Sequence, residues 1–404
     1  MKRCGARILL PRHLCHMSKL HVVLCTDGVF PQAMGGMQRH SRLLAEHLAR
    51  TGEVELTVLH PHEPPIFDPA LGIREVHVHD IDKDKFYLRE LKRYSTRIAR
   101  ELDELKPDLI LSQGFCVWED IARSRDRLIV HPHGLEMFQM LTAKERLLGW
   151  PFRRALRSIL RRSRVAISLG GRLTDILREQ VKGSPCEVVV LPNAVDLPTA
   201  ISSKPPVPST NRVDEHGGPD ERPTINLLFV GRFAFNKGLD VLMAVAERLV
   251  KNGLGERVHF QLAGDGPLLK KYQDDGLPPN VRLLGRVDDA QLDRLYRSCD
   301  AFVLPTRFEG MPTVVLEAMA RAKPIIVSDV GATSELVTPH NGYLLPPGDA
   351  CALYDAIISF AERGAEVHAR MGRYSHERVV ERFSWPSVTK EYLALFQRLV
   401  AQGR

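Results

Sequence analysis

Residues 301–317, AFVLPTRFEGMPTVVLE, bring an apolar run, a loop and a helix start into close succession. The apolar residues 301–304 predict a short buried strand, and Pro312 fits the first position of a following helix, where its missing N–H costs nothing. Glu309 precedes this helix and Glu317 lies about a turn and a half into it. At ~1.5 Å per residue, the two carboxylates are roughly 8 Å apart along the axis. The helix N-terminus between them favours a phosphate.

Two glutamates at this spacing are ambiguous when they are taken alone. Any strand–loop–helix unit can carry such a pair, and paired acids also serve acid/base catalysis in glycosidases. In the same half of the chain, Arg232 and Lys237 follow another strand, where they can clamp a diphosphate from two sides. We therefore interpret the glutamates as hydroxyl acceptors at the two ends of a ligand that has phosphates in its middle.

Apolar runs alternate with helical periodicity along the rest of the chain. Strands are predicted at 20–25, 54–59, 128–130 and 225–230, among others, with helices between them. This alternation indicates an α/β fold with two Rossmann-like, doubly wound parallel sheets, each with its ligand edge at the carboxyl ends of the strands. Two such domains facing each other form a cleft.

A segment of different composition divides the chain almost in half. Residues 197–224 are rich in Ser, Pro, Asn, Asp and Gly, which predicts a flexible linker. The linker separates a first domain, 19–196, from a second, 225–383. Residues 1–18 are basic and lack the apolar core and cleavage site of a signal peptide, so we predict a disordered extension, with a true start at Met17 as the alternative. Residues 384–404 carry apolar residues at helical spacing and are predicted to form a final helix.

The overall composition, 44% hydrophobic and 26% charged, is typical of a globular protein. No apolar run reaches the length of a membrane-spanning helix. The formal charge of +7 favours an anionic surface or substrate, although many proteins without such partners share it, and we expect no nucleic-acid partner. The seven cysteines show no CxxC spacing, so we expect them to be reduced in a cytoplasmic protein without disulfides or a zinc site.

Two segments of the first half lie where open α/β sheets bind ligands. Gly35-Gly36 stands between a strand and a helix, where glycines let backbone amides approach an anion, although a plain tight turn has the same pattern. His131-Pro132-His133-Gly134 ends another strand, and we favour His133 because it adjoins the glycine. Asp80-Ile81-Asp82 has the form of a metal-binding DxD, but such a triplet arises easily by chance in a charged chain.

The segment 144–164 combines seven arginines with regularly spaced apolar residues. As one helix over about 147–162, it would form a basic amphipathic surface of the kind that binds anionic lipid. The alternative is a solvated helix face packed by one side on its own domain, since charge runs are often no more than that. The lipid interpretation predicts a peripheral protein on the inner face of the membrane.

An ordered set of motifs resembles that of the family 4 glycosyltransferases, which are retaining enzymes with the GT-B fold. The resemblance covers about residues 19–400, apart from the insertion after Asp196, and it rests on the order of the motifs. The usual Asn-Gly after the proline is Asn-Ala here. The motifs are Gly35-Gly36, His133-Gly134, Pro192-Asn193-Ala194-Val195-Asp196, Gly231-Arg232, Lys237-Gly238, Gly264-Asp265-Gly266-Pro267, and Glu309 with Glu317.

The resemblance implies a donor site in the second domain, an acceptor site in the first, and a final helix, 384–404, that packs back on the first domain. Arg232 and Lys237 would hold a diphosphate, and Glu317 would accept hydrogen bonds from ribose hydroxyls. His133 and Glu309 are the implied catalytic residues: His133 would close over the donor sugar and Glu309 would hold it, with catalysis or positioning by Glu309 left open. Other implied donor contacts are the amides of Gly310 and Met311 at the sugar, Arg286 and Val287 at the base, Asp265, and Gly36 near the phosphate or acceptor.

The resemblance also implies a reaction. A hexose-type sugar would pass, with retention, from a UDP-, GDP- or ADP-sugar to a lipid-linked or saccharide acceptor at the cytoplasmic membrane face, as in cell-surface polysaccharide and glycolipid synthesis. No metal or other cofactor is expected, because positive side chains and a helix end would stabilise the leaving diphosphate. A GT-B-fold sugar-nucleotide epimerase is the alternative enzyme, and a catalytically idle binding protein is the alternative from another class.

Overall fold

A seven-stranded sheet forms the core of the first half of the chain. The computed structural model describes residues 19–79, 81, 87–139, 142–198 and 223–403. The strands are β1 (Leu20–Cys25), β2 (Val54–His60), β3 (Arg74–His77), β4 (Leu109–Gln113), β5 (Leu128–His131), β6 (Val165–Ser168) and β7 (Glu187–Val190). They run β3-β2-β1-β4-β5-β6-β7 across the sheet, and all neighbours are parallel. The strand order reverses between β1 and β4, which opens a crevice at their carboxyl ends.

Helices cover both faces of this sheet. The first, α1, buries Leu44, Ala45 and Leu48 at helical spacing and ends at Gly52, whose φ of 68° is the left-handed conformation that stops a helix. The helices of this half are α1 (Gly36–Thr51), α2 (Tyr87–Leu105), α3 (Ile121–Ser124), α4 (Ala143–Leu148), α5 (Trp150–Leu160) and α6 (Gly171–Val181).

The prediction of one helix over about 147–162 is wrong. Helix α4 ends at Leu148 and a separate α5 begins at Trp150. Pro151 explains the break, because its ring nitrogen has no N–H to continue the hydrogen bonds of α4, whereas proline is favourable in the first turn of a new helix. The two helices therefore expose their junction rather than one continuous face.

The second half of the chain has the same architecture, with a sheet of six parallel strands. They are β8 (Ile225–Val230), β9 (Val258–Ala263), β10 (Val281–Gly285), β11 (Ala301–Leu304), β12 (Ile325–Ser328) and β13 (Gly342–Leu345), in the order β10-β9-β8-β11-β12-β13. The predicted architecture of two doubly wound parallel sheets is thus confirmed. The extension predicted over 1–18, and most of the predicted linker, lie outside the described residues. The helices are α7 (Leu239–Lys251), α8 (Leu269–Asp275), α9 (Asp289–Ser298), α10 (Thr313–Ala320), α11 (Ala350–Ala361), α12 (Ala365–Arg378) and α13 (Trp385–Gly403).

The strand and helix predicted within 301–317 are both present. All four residues of β11 are buried, as the apolar run indicates. Pro312, however, is the residue before the helix rather than its first residue: its φ of −71° and ψ of 114° are extended, and α10 begins at Thr313. Glu317 is therefore the fifth residue of α10, with apolar neighbours Val315, Leu316 and Ala318 buried in the core.

The last helix returns to the first domain. Trp385, Tyr392 and Phe396 of α13 are buried in one apolar cluster with residues of β1 and β4. Val195, near the end of the first domain, lies beside the second crossing of the chain between the domains, since its N–H donates to the Phe383 carbonyl at 2.9 Å.

Candidate active site

The carboxyl ends of the two sheets meet at a cleft of about 540 Å³. Its walls come from the residues directly after β4, β5 and β6 in the first domain and after β8 and β11 in the second. This is the edge at which parallel sheets bind their ligands. The predicted site residues that line it are Gly36, His133, Lys237, Glu309, Gly310 and Met311.

Lys237 and Glu309 contact each other directly in this cleft. Lys237 ends a short 3₁₀ turn, and Gly238 follows it with a φ of 70°. A Cβ on Gly238 would lie 1.9 Å from the Pro305 carbonyl oxygen, so only glycine lets the turn pack against the loop after β11. The two side chains are 21% and 13% exposed, which limits screening of their charges. A bound diphosphate would compete with Glu309 for the Lys237 ammonium.

Side chains of the first domain hold the backbone of residues 309–311. Gln139 Nε2 donates to the Glu309 carbonyl at 3.3 Å and to the Gly134 carbonyl at 2.6 Å. Asn193 Nδ2 donates to the Met311 carbonyl at 2.8 Å, and Asn193 is only 8% exposed. The conformation of this loop therefore depends on contact between the domains.

Glycines allow the domains to approach each other at the same loop. A Cβ on Gly310 would lie 3.0 Å from the Gly134 Cα in the opposite domain. Gly331, with a φ of 55°, packs on the same loop, where a Cβ would meet the Glu309 carbonyl oxygen at 2.2 Å. Gly171 of the first domain packs on Gly331, and a Cβ added to Gly171 would lie 2.7 Å from the Gly331 carbonyl oxygen. Larger side chains at Gly310 or Gly171 would hold the domains apart, whereas one at Gly331 would displace the loop of its own domain.

Glu317 lies in a second, smaller pocket of about 210 Å³ that adjoins the cleft at Gly36 and Thr313. The Tyr296 hydroxyl donates to its Oε2 at 3.0 Å, and the Arg39 guanidinium of the first domain lies 4.0 Å from its Oε1. Burial raises the pKa of Glu317, although Arg39 and Tyr296 act against this shift. The two glutamates of the 301–317 stretch thus line adjoining pockets rather than one.

His133 approaches the cleft from the end of β5. Its backbone adopts the left-handed conformation, with a φ of 60°, and its Nε2 is hydrogen-bonded to Gln113 Oε1. Burial, with the neighbouring His40 as a second cause, holds the pKa of His133 well below its usual value. The ring is therefore neutral at neutral pH. Because Nε2–H donates to the Gln113 oxygen, Nδ1 is the nitrogen that can accept a hydrogen bond from a hydroxyl group.

The other predicted donor residues lie in the loops after β8, β9 and β10. Arg232, Asp265 and Arg286 are exposed, and Val287 is half-buried. These loops are joined by backbone hydrogen bonds, such as that from Phe233 N–H to the Asp265 carbonyl at 2.8 Å. None of the four lines either pocket, so their donor contacts stay predictions.

Several residues that shape the two pockets are absent from the predicted set. Asn193 belongs to a quoted motif, but its amide contact depends on the position of the second domain. Gln139, Arg39 and Tyr296 carry no comparable signal, because their partners come from distant parts of the chain. Contacts of this kind follow from domain placement, which short motifs do not encode.

A metal site is not found in the part of the chain that the structure describes. No three His, Cys, Asp or Glu side chains are grouped there in a way that could hold a metal ion. Asp80 and Asp82 of the DxD triplet lie outside the described residues. The positive groups assembled at the cleft are those of Lys237 and the N-terminus of α10.

Two family models together match most of the chain. The model described as Glycosyltransferase Family 4 matches residues 34–198, and the model described as Glycosyl transferases group 1 matches residues 224–363. Among solved structures, sucrose-phosphate synthase from Thermosynechococcus elongatus is similar with a TM-score of 0.76 at 20% identity, covering 95% of this chain and 100% of that one. The matched regions correspond to the two sheet domains.

Curated relatives give the same result. The glycogen synthase of Mycobacterium tuberculosis is 25% identical over 290 residues, which are 67% of this chain and 66% of that protein. The phosphatidyl-myo-inositol mannosyltransferase of Mycobacterium leprae is 27% identical over 235 residues, 57% of this chain and 59% of that protein. The first curated relatives are matched over about half to two thirds of their own length. The chain belongs to the family 4 glycosyltransferases and has the GT-B fold.

Proposed function

We propose that the protein transfers a hexose-type sugar, with retention, from a nucleotide diphosphate sugar to a lipid-linked or saccharide acceptor. The observation that carries this proposal is the meeting of Lys237, Glu309 and His133 in one cleft between the domains. A cation, a carboxylate and a neutral imidazole there match a diphosphate, sugar hydroxyls and the reacting carbon. The family of the chain supports the same reaction class.

The donor would lie along the second domain. Lys237 and the first N–H groups of α10 would hold the diphosphate and stabilise its charge as it leaves. Glu309, freed from Lys237, would accept hydrogen bonds from the sugar. Glu317 would accept them from the ribose in the adjoining pocket, with Arg39 displaced or shared. Neutral His133, whose Nε2–H donates to Gln113 Oε1, would accept at Nδ1 from a sugar hydroxyl without placing a positive charge beside an oxocarbenium-like carbon.

We further propose that transfer needs no metal cofactor. Lys237 and the α10 N-terminus supply positive charge where a metal-dependent enzyme would use a cation. Treatment with EDTA should therefore leave the rate of transfer unchanged. A rate that falls with EDTA and returns with added Mg²⁺ or Mn²⁺ would contradict this part of the proposal.

Thermal-shift measurements with UDP-, GDP- and ADP-sugars test the proposal most directly, because a bound donor raises the melting temperature by mass action. The stabilising donor is then incubated with candidate acceptors, and the products are separated. Release of the nucleoside diphosphate with a new glycoside supports transfer. An isomerised sugar nucleotide would instead indicate an epimerase, and binding with no turnover would indicate an idle binding protein.

We also propose that the junction of α4 and α5 contacts an anionic membrane surface on the cytoplasmic side. Leu147, Leu148 and Trp150 are 76%, 65% and 56% exposed there. Neighbouring arginines donate to neutral acceptors, such as Arg157 to Gln180 Oε1 and Arg161 to the Lys182 carbonyl, which leaves their charge uncompensated by these bonds. No helix within the described residues is long and apolar enough to cross a bilayer. The relative that is named for phosphatidyl-myo-inositol is consistent with a lipid acceptor.

Flotation with vesicles that contain anionic lipid tests this contact. The variant Leu147→Ser/Leu148→Ser/Arg154→Glu should float less than the parent, because it loses apolar contact and charge without removing the Arg157 hydrogen bond. Arg178→Glu on α6 is the matched charge control and should float like the parent. A parent protein that does not float with anionic vesicles would rule out the membrane contact.

A further inference from the structure

Three histidine rings pack together between the cleft and the final helix. His131, the last residue of β5, stacks on His133 with ring centroids 3.9 Å apart and planes 17° from parallel. His40 on α1 stands edge-on to both rings, with centroid distances of 5.1 and 5.2 Å. His131 is fully buried and does not line the cleft, whereas His133 does. His131 therefore lies directly behind the ring that we place at the donor sugar.

His131 also connects the cluster to α13. The buried Tyr392 hydroxyl lies 3.4 Å from His131 Nδ1. On the same helix, Trp385 packs against His40 with ring centroids 5.6 Å apart. Helix α13 directly follows the second crossing between the domains. Helix α13 is thus in contact, through Tyr392 and His131, with His133.

Filling space does not account for a histidine at position 131. Burial of an imidazole costs solvation that an apolar side chain would not lose. Among the described residues, His131 Nε2 has no hydrogen-bond partner, and its Nδ1 has the long contact with Tyr392. What an imidazole offers there is a flat ring that stacks on His133 together with a nitrogen that meets a hydroxyl.

We propose that His131 is a positioning residue for His133. It stacks on the His133 ring while its Nδ1 is hydrogen-bonded to the Tyr392 hydroxyl, and so it fixes the plane in which His133 meets the donor sugar and ties that plane to α13. The proposal rests on the proposed function, since that function places His133 at the sugar. His131 itself touches no substrate.

Burial and the mutual proximity of the three histidines keep their rings neutral. Burial lowers the pKa of His131, with His133 and His40 as further causes, and it lowers the pKa of His40 to about 4. Protonation of any one ring would place a charge against the other two, so all three stay neutral at neutral pH. The groups that contact the three rings are Gln113 on β4 and Tyr392 and Trp385 on α13. The charged residues that share the cleft with His133 are Asp27, Glu136, Lys237 and Glu309.

The kinetic test compares three variants. His131→Phe keeps a stacking ring but removes Nδ1, Tyr392→Phe removes only the hydroxyl, and the third variant carries both changes. Each single change should lower kcat about tenfold and leave KM for the donor within about twofold. The double variant should lose no more than the worse single variant, because both changes act through one ring. The control Tyr343→Phe, which removes a 3.1 Å contact with Ser359 in the second domain, should keep the parent kcat.

A second measurement does not need activity. His131 is neutral when His133 titrates, so His131→Phe removes no charge but replaces a polar neighbour of His133 by an apolar ring. NMR titration of the His133 ring should therefore show a pKa still further below its usual value, and the acid limb of kcat should move to lower pH. An unchanged titration, an unchanged kcat or additive losses in the double variant would overturn the proposal. If no donor supports transfer, the proposed function fails, while the titration still decides whether His131 acts on His133. If His131→Phe does not fold, the kcat of Tyr392→Phe decides alone.

Discussion

Asn193 Nδ2 donates a 2.8 Å hydrogen bond to the Met311 carbonyl across the boundary between the two domains. Met311 lies two residues before α10, whose N-terminus we assign to the diphosphate. Because the Met311 carbonyl oxygen can only accept a hydrogen bond, the Asn193 side chain must present Nδ2 to it. The flipped amide would place Oδ1 against the carbonyl oxygen. A first-domain side chain thus holds the entry to α10, so the packing of the two domains is linked to the geometry of the donor site that we propose there.

Replacement of Asn193 by Ala should uncouple closure from donor positioning. The Met311 carbonyl would lose a shielded partner, so we expect kcat to fall about tenfold while the affinity of the isolated donor changes little. Steady-state kinetics and donor titration by calorimetry separate the two effects. Asn252→Ala removes a comparable 2.8 Å amide bond, to the Tyr354 hydroxyl, away from the cleft, and it should behave like the parent. Equal losses in both variants would refute a role in closure.

Lys237 should contribute more than any other single side chain to the stabilisation of the leaving diphosphate. Lys237→Ala should slow transfer about a hundredfold and weaken donor binding, because a cation in a partly desolvated site is lost. The loss also leaves the Glu309 carboxylate without its partner. Lys237→Arg, which keeps the charge, should recover part of the rate, and the exposed Lys251→Ala is the control. A normal rate in Lys237→Ala would remove it from the diphosphate site.

Much of the fold follows from local sequence pattern. The apolar runs of β1 and β11 are physical signals that act within a few residues, and the structure contains both strands where they are predicted. Strand β3 has no such signal, because Arg74, Glu75 and His77 interrupt any apolar run. It forms at the sheet edge, where pairing with β2 requires no buried face.

The candidate site is predictable only in part. Lys237, Glu309 and His133 follow strand ends, so topology alone brings them to one edge. The separation of Glu309 and Glu317 into adjoining pockets depends on where α10 begins, and the partners of Glu317 come from Tyr296 and Arg39, far away in the chain. Local spacing therefore predicts which residues gather, but not which partner each one meets.

Glu317→Gln should stabilise the empty protein while it weakens donor binding. Burial holds the pKa of Glu317 above its usual value, so the folded state resists ionisation more than the unfolded state does. Stability contributed by the protonated acid is present at low pH and is lost as pH rises through the raised pKa. The variant should therefore melt higher than the parent at pH 7.5, and the gap should close as the pH is lowered.

Donor affinity should fall in Glu317→Gln, although the empty protein is stabilised. An ionised carboxylate accepts hydroxyl hydrogen bonds more strongly than an amide does, so the dissociation constant should rise about tenfold at pH 7.5. Calorimetric titration at pH 7.5 and melting curves across the acid range check both parts. Exposed Glu362→Gln is the control for the loss of one negative charge. Unchanged donor affinity would exclude Glu317 from the ribose contact.

Gly171→Ala should hold the two domains apart. An added Cβ would lie 2.7 Å from the Gly331 carbonyl oxygen, and Gly331 itself packs on the Glu309 carbonyl, so the clash falls directly behind the sugar-binding loop. Gly183→Ala at the other end of α6 is a matched control, because its φ of 72° carries a similar strain, about 1 kcal/mol, without a close contact in the second domain.

Both variants should melt lower than the parent, but only Gly171→Ala should increase the radius of gyration in solution scattering and reduce kcat. Donor binding, which we assign to the second domain, should survive in both. If Gly171→Ala and Gly183→Ala lose kcat equally, backbone strain rather than the domain contact is responsible, and close packing of Gly171 on Gly331 is not required for transfer.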